Sequence, residues 1–381
     1  MKKVSLITLQ NVPNYGSVLQ CYATEQTIKK IGFDVETINY LPERMTKLGM
    51  LKNIKYKTKK LENSLLARTA ARFVIFPSYL LRFRTFKKFR NNYLNMTKKV
   101  YKNYNEIKSN IPTADIYCTG SDQVWNSEWN DEIDKALFLG YAPDEKKKIA
   151  YAASFGKKEL QKNEIEETRK MLRRYDRISL RESSGVDIVE SLGIKGSVNV
   201  VDPTLLLCGD EWRKLSSNRY KGKKYILVYN LNRNKKIDNY AKMLSDKTGM
   251  QVVYLSYQLH DFYKNGKMIC NPKVEDFISL IDNAEYVISD SFHATAFSLN
   301  LNTQFVIVYP GKFSTRLQSL LKLLNLENRV ANDENDISVV ENAIDYEIIN
   351  KKMQGMREES YNWLKESLEE WYESYIYWWA E

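Results

Sequence analysis

Short apolar runs alternate with helix-period stretches along most of the chain, which predicts strands and helices in turn. Residues 4–9 read as a strand. Asn14-Tyr15-Gly16-Ser17 then opens a helix whose Leu19, Tyr22, Ala23, Ile28 and Ile31 share one face, and Gly32 ends it. Residues 35–40 form the next strand, completing a βαβ unit that predicts a parallel sheet with a right-handed crossover. Further strands are predicted at 114–119, 149–154, 178–181 and 198–201, with helices at 164–174 and 184–192. The stretch 216–224, which contains Lys and Gly, reads as a boundary. Beyond it, strands at 225–230, 252–256, 286–289 and 305–309 alternate with helices at 236–248, 274–283, 294–300 and 315–324. The order predicts an N-terminal Rossmann-like domain over 1–215, a C-terminal one over 216–338 and a helical tail over 339–381 that ends in Trp and Tyr. Two such α/β units predict the GT-B layout, with a site between them beyond the carboxyl ends of the strands.

One segment, about 44–110, breaks the alternation. Residues 51–71 read as an amphipathic helix, followed by the apolar run 73–81 flanked by Arg72, Arg82 and Arg84. Charge is also concentrated there. Residues 44–108 hold 18 basic and two acidic residues, more excess than the +11 of the whole chain, so the remainder is mildly acidic. A patch of that strength attracts anions. Aromatics interleaved with its basic residues, from Phe73 to Phe89, would suit stacking on single-stranded nucleic acid. The uninterrupted apolar run favours an anionic membrane surface instead, so nucleic acid is not expected as a partner.

Composition narrows the remaining classes. Hydrophobic residues at 43% are enough for two cores. The apolar N-terminus stops at Gln10-Asn11, too short for a signal peptide. No stretch reaches the roughly 18 apolar residues of a membrane span. Four scattered cysteines and two histidines argue against a zinc site or a disulfide scaffold, so no metal is expected. The expected location is the cytoplasm, including the inner face of the cell membrane as a peripheral protein.

Four strand ends carry candidate chemistry. Gly120-Ser121-Asp122-Gln123-Val124-Trp125-Asn126 follows a strand directly, and its polar and aromatic members suit sugar recognition; the plain alternative is a polar turn with a Trp packed beneath. Ser289-Asp290-Ser291-Phe292-His293-Ala294 runs from a strand into a helix, so His293 lies near a helix N-terminus, where anions are favoured and an imidazole pKa is depressed. The alternative is a capping residue beside a packed His. Arg181, at the end of a strand, and Lys312 and Arg316, after another, are candidate anion-binding cations; Arg181 is equally suited to a salt bridge with Glu182 or Asp202.

These segments in this order resemble the polysaccharide pyruvyl transferase family, which builds pyruvate ketals on bacterial cell-surface glycans. The matching pieces are Asn14-Tyr15-Gly16-Ser17-Val18-Leu19-Gln20, the 120–126 segment, Ala152-Ala153-Ser154-Phe155-Gly156, Ser179-Leu180-Arg181-Glu182, Val201-Asp202-Pro203-Thr204, the His293 segment and Tyr309-Pro310-Gly311-Lys312. The resemblance implies a GT-B-like fold, phosphoenolpyruvate as donor and co-substrate, and no metal or nucleotide cofactor. It implies Arg181, His293 and Lys312 at the donor. Many relatives carry Arg two residues before the His where this chain has Ser291, and Arg316 is the candidate to supply the missing cation. Asp122 is the candidate to accept a hydroxyl proton. Asn14, Tyr15, Gly16, Gln123, Trp125 and Asn126 are the candidates for the sugar acceptor, with a lipid-linked oligosaccharide as its candidate carrier. The competing readings are a GT-B glycosyltransferase using a nucleotide sugar and a nucleic-acid-binding protein using the basic insert.

Overall fold

Strand β1 (Lys3–Ile7) is buried along nearly its whole length, as expected where helices cover both faces of a parallel sheet. Helix α1 (Tyr15–Ile31) follows, capped by the Asn14 side chain at the Gly16 N–H and ended by Gly32 in the left-handed region. The chain returns through β2 (Asp34–Tyr40). The first sheet is completed by β3 (Met96–Tyr101), β4 (Ile116–Thr119), β5 (Lys147–Ala153), β6 (Arg177–Leu180) and β7 (Val198–Asn199). All seven strands are parallel, in the order β3-β2-β1-β4-β5-β6-β7. The second sheet, β8 (Ile226–Tyr229), β9 (Val252–Ser256), β10 (Lys267–Cys270), β11 (Tyr286–Ser289) and β12 (Gln304–Ile307), repeats the pattern as β10-β9-β8-β11-β12. This computed structural model describes residues 1–53, 63–309, 314–334 and 336–369. It is a GT-B-like pair of Rossmann-like domains.

One apolar core runs through both halves, from Val4 and Tyr15 across Trp212 and Phe277 to Leu364, while the outer face of each sheet has its own smaller core. Tyr15 is a central joint. Its ring stacks on Phe277 of the second half at 4.5 Å, and its hydroxyl donates to the Pro272 carbonyl at 2.8 Å.

The basic insert departs from expectation. Residues 51–52 end a short helix (Lys47–Lys52), and the expected 51–71 helix, from Leu65 on, joins the apolar run in a single helix α2 (Leu65–Tyr93) that contains Pro77. Residues 54–62 lie outside the described residues. Edge strands β3 and β10 were not anticipated, because neither shows a continuous apolar run. Helix α3 (Phe292–Leu301) follows β11. Helix α4 (Tyr346–Glu369) turns back onto the first half, where Ser360 accepts the Val201 N–H at 3.1 Å and Trp363 packs on Tyr151. The aromatic end of the tail, from residue 370 on, lies outside the described residues. No described helix is long and apolar enough to cross a membrane.

Candidate active site

Strand order reverses beside the first strand of each sheet, between β1 and β4 and between β8 and β11. The loops leaving these strands diverge and leave a crevice beyond their carboxyl ends, the usual ligand position in open parallel sheets. Here the two crevices face each other as a cleft of about 330 Å³, lined by Asn14, Ser17, Asp122 and Gln123 from one half and Asn232, Asp290, His293 and Arg316 from the other.

His293 is the second residue of α3, whose first turn is capped by the Ser291 hydroxyl at the Ala294 N–H, 3.3 Å. Its imidazole is pressed against α1. A Cβ on Gly16 would lie 1.9 Å from Nδ1, so only glycine admits the ring at this distance. Nε2 lies 3.9 Å from the Asp202 carboxylate and is buried without a hydrogen-bond partner. Burial pushes the imidazole below its ordinary pKa against the pull of Asp202 and Asp122, and the positive charges of Arg181 and Arg316 add to the depression. The ring is therefore mostly neutral at pH 7.

Behind His293 lies a buried charge network. Arg181 donates from Nη1 to Asp202 at 2.8 Å, with Asp122 3.7 Å from Nη2 and Glu182 3.9 Å from Nε. Burial disfavours its charge, but the three carboxylates outweigh that and keep it ionised. Asp202 also accepts from the Thr204 N–H and hydroxyl and from Ser121. Burial raises its carboxyl, yet Arg181 and His293 bring it down to about 2. Asp122 is held by Ser17 at 2.6 Å and by the Gln123 N–H at 2.9 Å. Burial raises it as well, and Arg181 and His293 more than offset that, so it is ionised. Its backbone is in the left-handed region (φ 77°), a strained setting for a residue other than glycine.

Arg316 differs from Arg181. No carboxylate lies within ion-pair distance of it among the described residues, and its Nε is buried without a partner. Burial and the neighbouring Arg181 push its pKa down to about 10, still charged at pH 7. Among the described residues it is the unpaired cation of the cleft. Among the described residues no His, Cys, Asp and Glu group is arranged to hold a metal ion.

Several expected site residues lie elsewhere. Trp125 is 2% exposed, its ring stacked on Phe138 and its Nε1 donating to the Leu137 carbonyl, so it is core beneath the turn. Asn126 is buried; it caps the short helix Ser127–Asn130 and donates to Gln123, orienting that side chain. Tyr15 belongs to the aromatic joint, and Gly16 makes room for His293. Of the acceptor candidates, Asn14 and Gln123 line the cleft. Arg181 and Asp202 line a smaller cavity behind it, with Phe292 common to both. Ser291 reaches the cleft, while Lys312 lies outside the described residues. Sequence reasoning missed Ser17, Trp129, Asn232 and Asp290. The Asp290 carboxylate accepts the Leu231 and Asn232 N–H groups and the Asn232 amide, pinning the loop after β8. A carboxylate directly beyond a strand at the reversal point was the signal for it.

No curated protein matches the chain. Among solved structures, S. aureus MnaA in a co-structure with UDP is 13% identical, with 97% of each chain covered and a TM-score of 0.52. UDP-GlcNAc 2-epimerase from Neisseria meningitidis bound to UDP-GlcNAc is 11% identical, covering 97% of this chain and 99% of its own, also with a TM-score of 0.52. At such identity the likeness is one of fold. The family model described as polysaccharide pyruvyl transferase matches residues 14–311. Because that match covers most of the chain, from the cap of α1 to beyond β12, and takes in Asp122, Arg181, Asp202 and His293, the chain belongs to the polysaccharide pyruvyl transferase family.

Proposed function

We propose that the protein transfers the pyruvyl group of phosphoenolpyruvate onto two hydroxyls of one sugar in a cell-surface polysaccharide precursor, forming a ketal and releasing phosphate. The observation that carries this reading is the pairing, in one cleft, of the unpaired Arg316 with a buried imidazole at a helix N-terminus. Phosphoenolpyruvate brings a carboxylate and a phosphate, and a fixed guanidinium matches either one. The α3 N-terminus adds favourable potential for the same charge. Arg181 gives Nη1 to Asp202 and sets the ionisation of the carboxylates around it, while its buried Nε and Nη2 make no hydrogen bond and can still meet an anion beside Arg316.

Donor binding places negative charge beside His293 and counters the depression of its pKa, so the ring takes up a proton as the site fills. It can then protonate the methylene carbon of the enol, which becomes a methyl group, while the first sugar hydroxyl attacks the adjacent carbon. The C–O bond to phosphate breaks, and the second hydroxyl attacks the same carbon. Of the two hydroxyl protons, one replaces that spent on the methyl and the other leaves with the phosphate. Asp122, held below the ordinary carboxylate range, is a weak base; it accepts the hydrogen bond of the attacking hydroxyl and orients it. Asn14 and Gln123 are suited to the rest of the sugar. A membrane lipid as carrier of that sugar fits the exposed apolar and basic residues of α2.

The fold is also that of proteins seen with UDP or UDP-GlcNAc, which keeps transfer from a nucleotide sugar as the second reading. Candidate glycans incubated with phosphoenolpyruvate, or separately with nucleotide sugars, separate the two. Mass spectrometry is expected to show a pyruvate ketal with matching phosphate release in the first set. Glycosyl gain from a nucleotide sugar, with no phosphate released from phosphoenolpyruvate, would replace the proposal by the second reading.

A further inference from the structure

Helix α2 is mounted on both halves by one face and leaves the other open. Its inward side buries Tyr79, Phe86 and Phe89, and Arg82 donates to the Pro13 carbonyl at 2.6 Å while its guanidinium stacks 3.7 Å over Tyr257. The Ser78 hydroxyl accepts the Leu259 N–H at 2.9 Å. On the outward side, Leu66, Phe73, Val74, Phe76, Leu80 and Leu81 are exposed, Leu66 by 84% and Phe73 by 77%. The same face continues, one and two turns on, into exposed Arg84, Lys87 and Lys88. The helix carries seven basic residues and no acidic one. Contiguous exposed apolar surface of this kind marks an interaction site.

We propose that this face docks the protein on an anionic lipid bilayer, with the apolar turns entering the headgroup boundary and Arg84, Lys87 and Lys88 lying on the headgroups. Charge decides the occupant. A helix with apolar residues on one stretch and only cations around it is matched by an anionic leaflet, whereas a second copy would bring like charge against it. Docking does not require a spanning helix, and α2 is not one. Behind α2, a second lobe of about 760 Å³ is walled by Ile75 and Arg82 of the helix and by Tyr254 and Tyr257, and shares Asn14, Leu231 and Asn232 with the cleft. A docked helix therefore leaves that lobe about one helix diameter from the bilayer, within reach of a lipid-carried acceptor. This last step rests on the transfer reading; the docking itself does not.

Sedimentation of the full chain with vesicles of equimolar phosphatidylglycerol and phosphatidylcholine, against phosphatidylcholine alone, tests it without any substrate. The parent is expected to bind the anionic vesicles and to bind the neutral ones at least tenfold more weakly. The triple variant Arg84→Gln, Lys87→Gln, Lys88→Gln should lose on the order of a hundredfold, about fivefold per charge. Phe73→Ser with Phe76→Ser should abolish whatever binding survives high salt. Unchanged melting temperatures confirm that these exposed substitutions leave the fold intact. A parent that ignores anionic vesicles, or a triple variant that binds like the parent, overturns the proposal. So does a parent dimer that the double serine variant splits, since that assigns the face to a second copy. Absence of phosphoenolpyruvate turnover would defeat the transfer reading and leave the docking result standing.

Discussion

At the scale of single residues, the cleft depends on how little room surrounds His293. Gly16→Ala puts a methyl group into the imidazole ring, so either the ring or α1 must shift. The expected result is a loss of turnover comparable to that of removing the histidine, with about 1–3 kcal/mol of stability lost to overpacking in a thermal melt. His293→Gln is expected to lower turnover about 10²–10⁴-fold while phosphoenolpyruvate still binds, the range for one acid–base group. Acid stability supplies an independent check. Burial holds the folded imidazole below its unfolded pKa, so protonation favours the unfolded chain. The stability tied to the neutral ring is complete above about pH 6.5 and is lost as pH falls below it toward the folded value. Melting temperatures of His293→Gln should accordingly fall less than those of the parent between about pH 7 and 5. Parallel curves would show that the ring is not held neutral. Asp202 acts in a lower window: its contribution is full above the unfolded carboxylate range near 4 and declines as pH drops toward about 2.

At the scale of elements, the loop after β8 is held by one side chain. Asp290→Ala removes the acceptor of three hydrogen bonds from Leu231 and Asn232. Faster amide exchange confined to residues 231–234 is expected, with a stability cost of about 1–3 kcal/mol. Protection unchanged there would mean that the loop is fixed by something else. Elements differ in how legible they were. The inner strands stood out because strands buried on both faces are apolar throughout. The edge strand β3 was invisible, since Lys98, Lys99 and Val100 in its centre face outward. Helix α2 read as two pieces because its pattern changes at Arg72 from amphipathic spacing to an uninterrupted apolar run, whereas its packed side, Tyr79 to Phe89, carries one helix past Pro77. Trp125 looked like a sugar platform because residue type does not report depth. Its indole N–H finds the Leu137 carbonyl, which removes the usual reason for a Trp edge to stay near water.

At the scale of the whole molecule, the repeated strand order places two reversal points face to face, and the cleft is lined from the loops leaving β1, β4, β8 and β11, with Arg316 added from beyond β12. That much followed from the alternation of strands and helices together with the rule for open parallel sheets. What did not follow was the distribution of charge. Arg181 and Arg316 are equivalent as letters, but folding surrounds the first with Asp122, Glu182 and Asp202 and leaves the second unpaired in the cleft. Glu182 and Asp202 were legible as partners of Arg181, but Asp122, which comes from a different strand end, joins them only in the folded chain. The central claim is that this unpaired cation receives phosphoenolpyruvate. Calorimetric titration of phosphoenolpyruvate into the parent and into Arg316→Ala tests it most directly. Saturable binding by the parent and a loss of at least tenfold in the variant, the scale of one charge-assisted hydrogen bond, is the expected outcome. Equal affinity in the two proteins, or no binding by the parent, would contradict it.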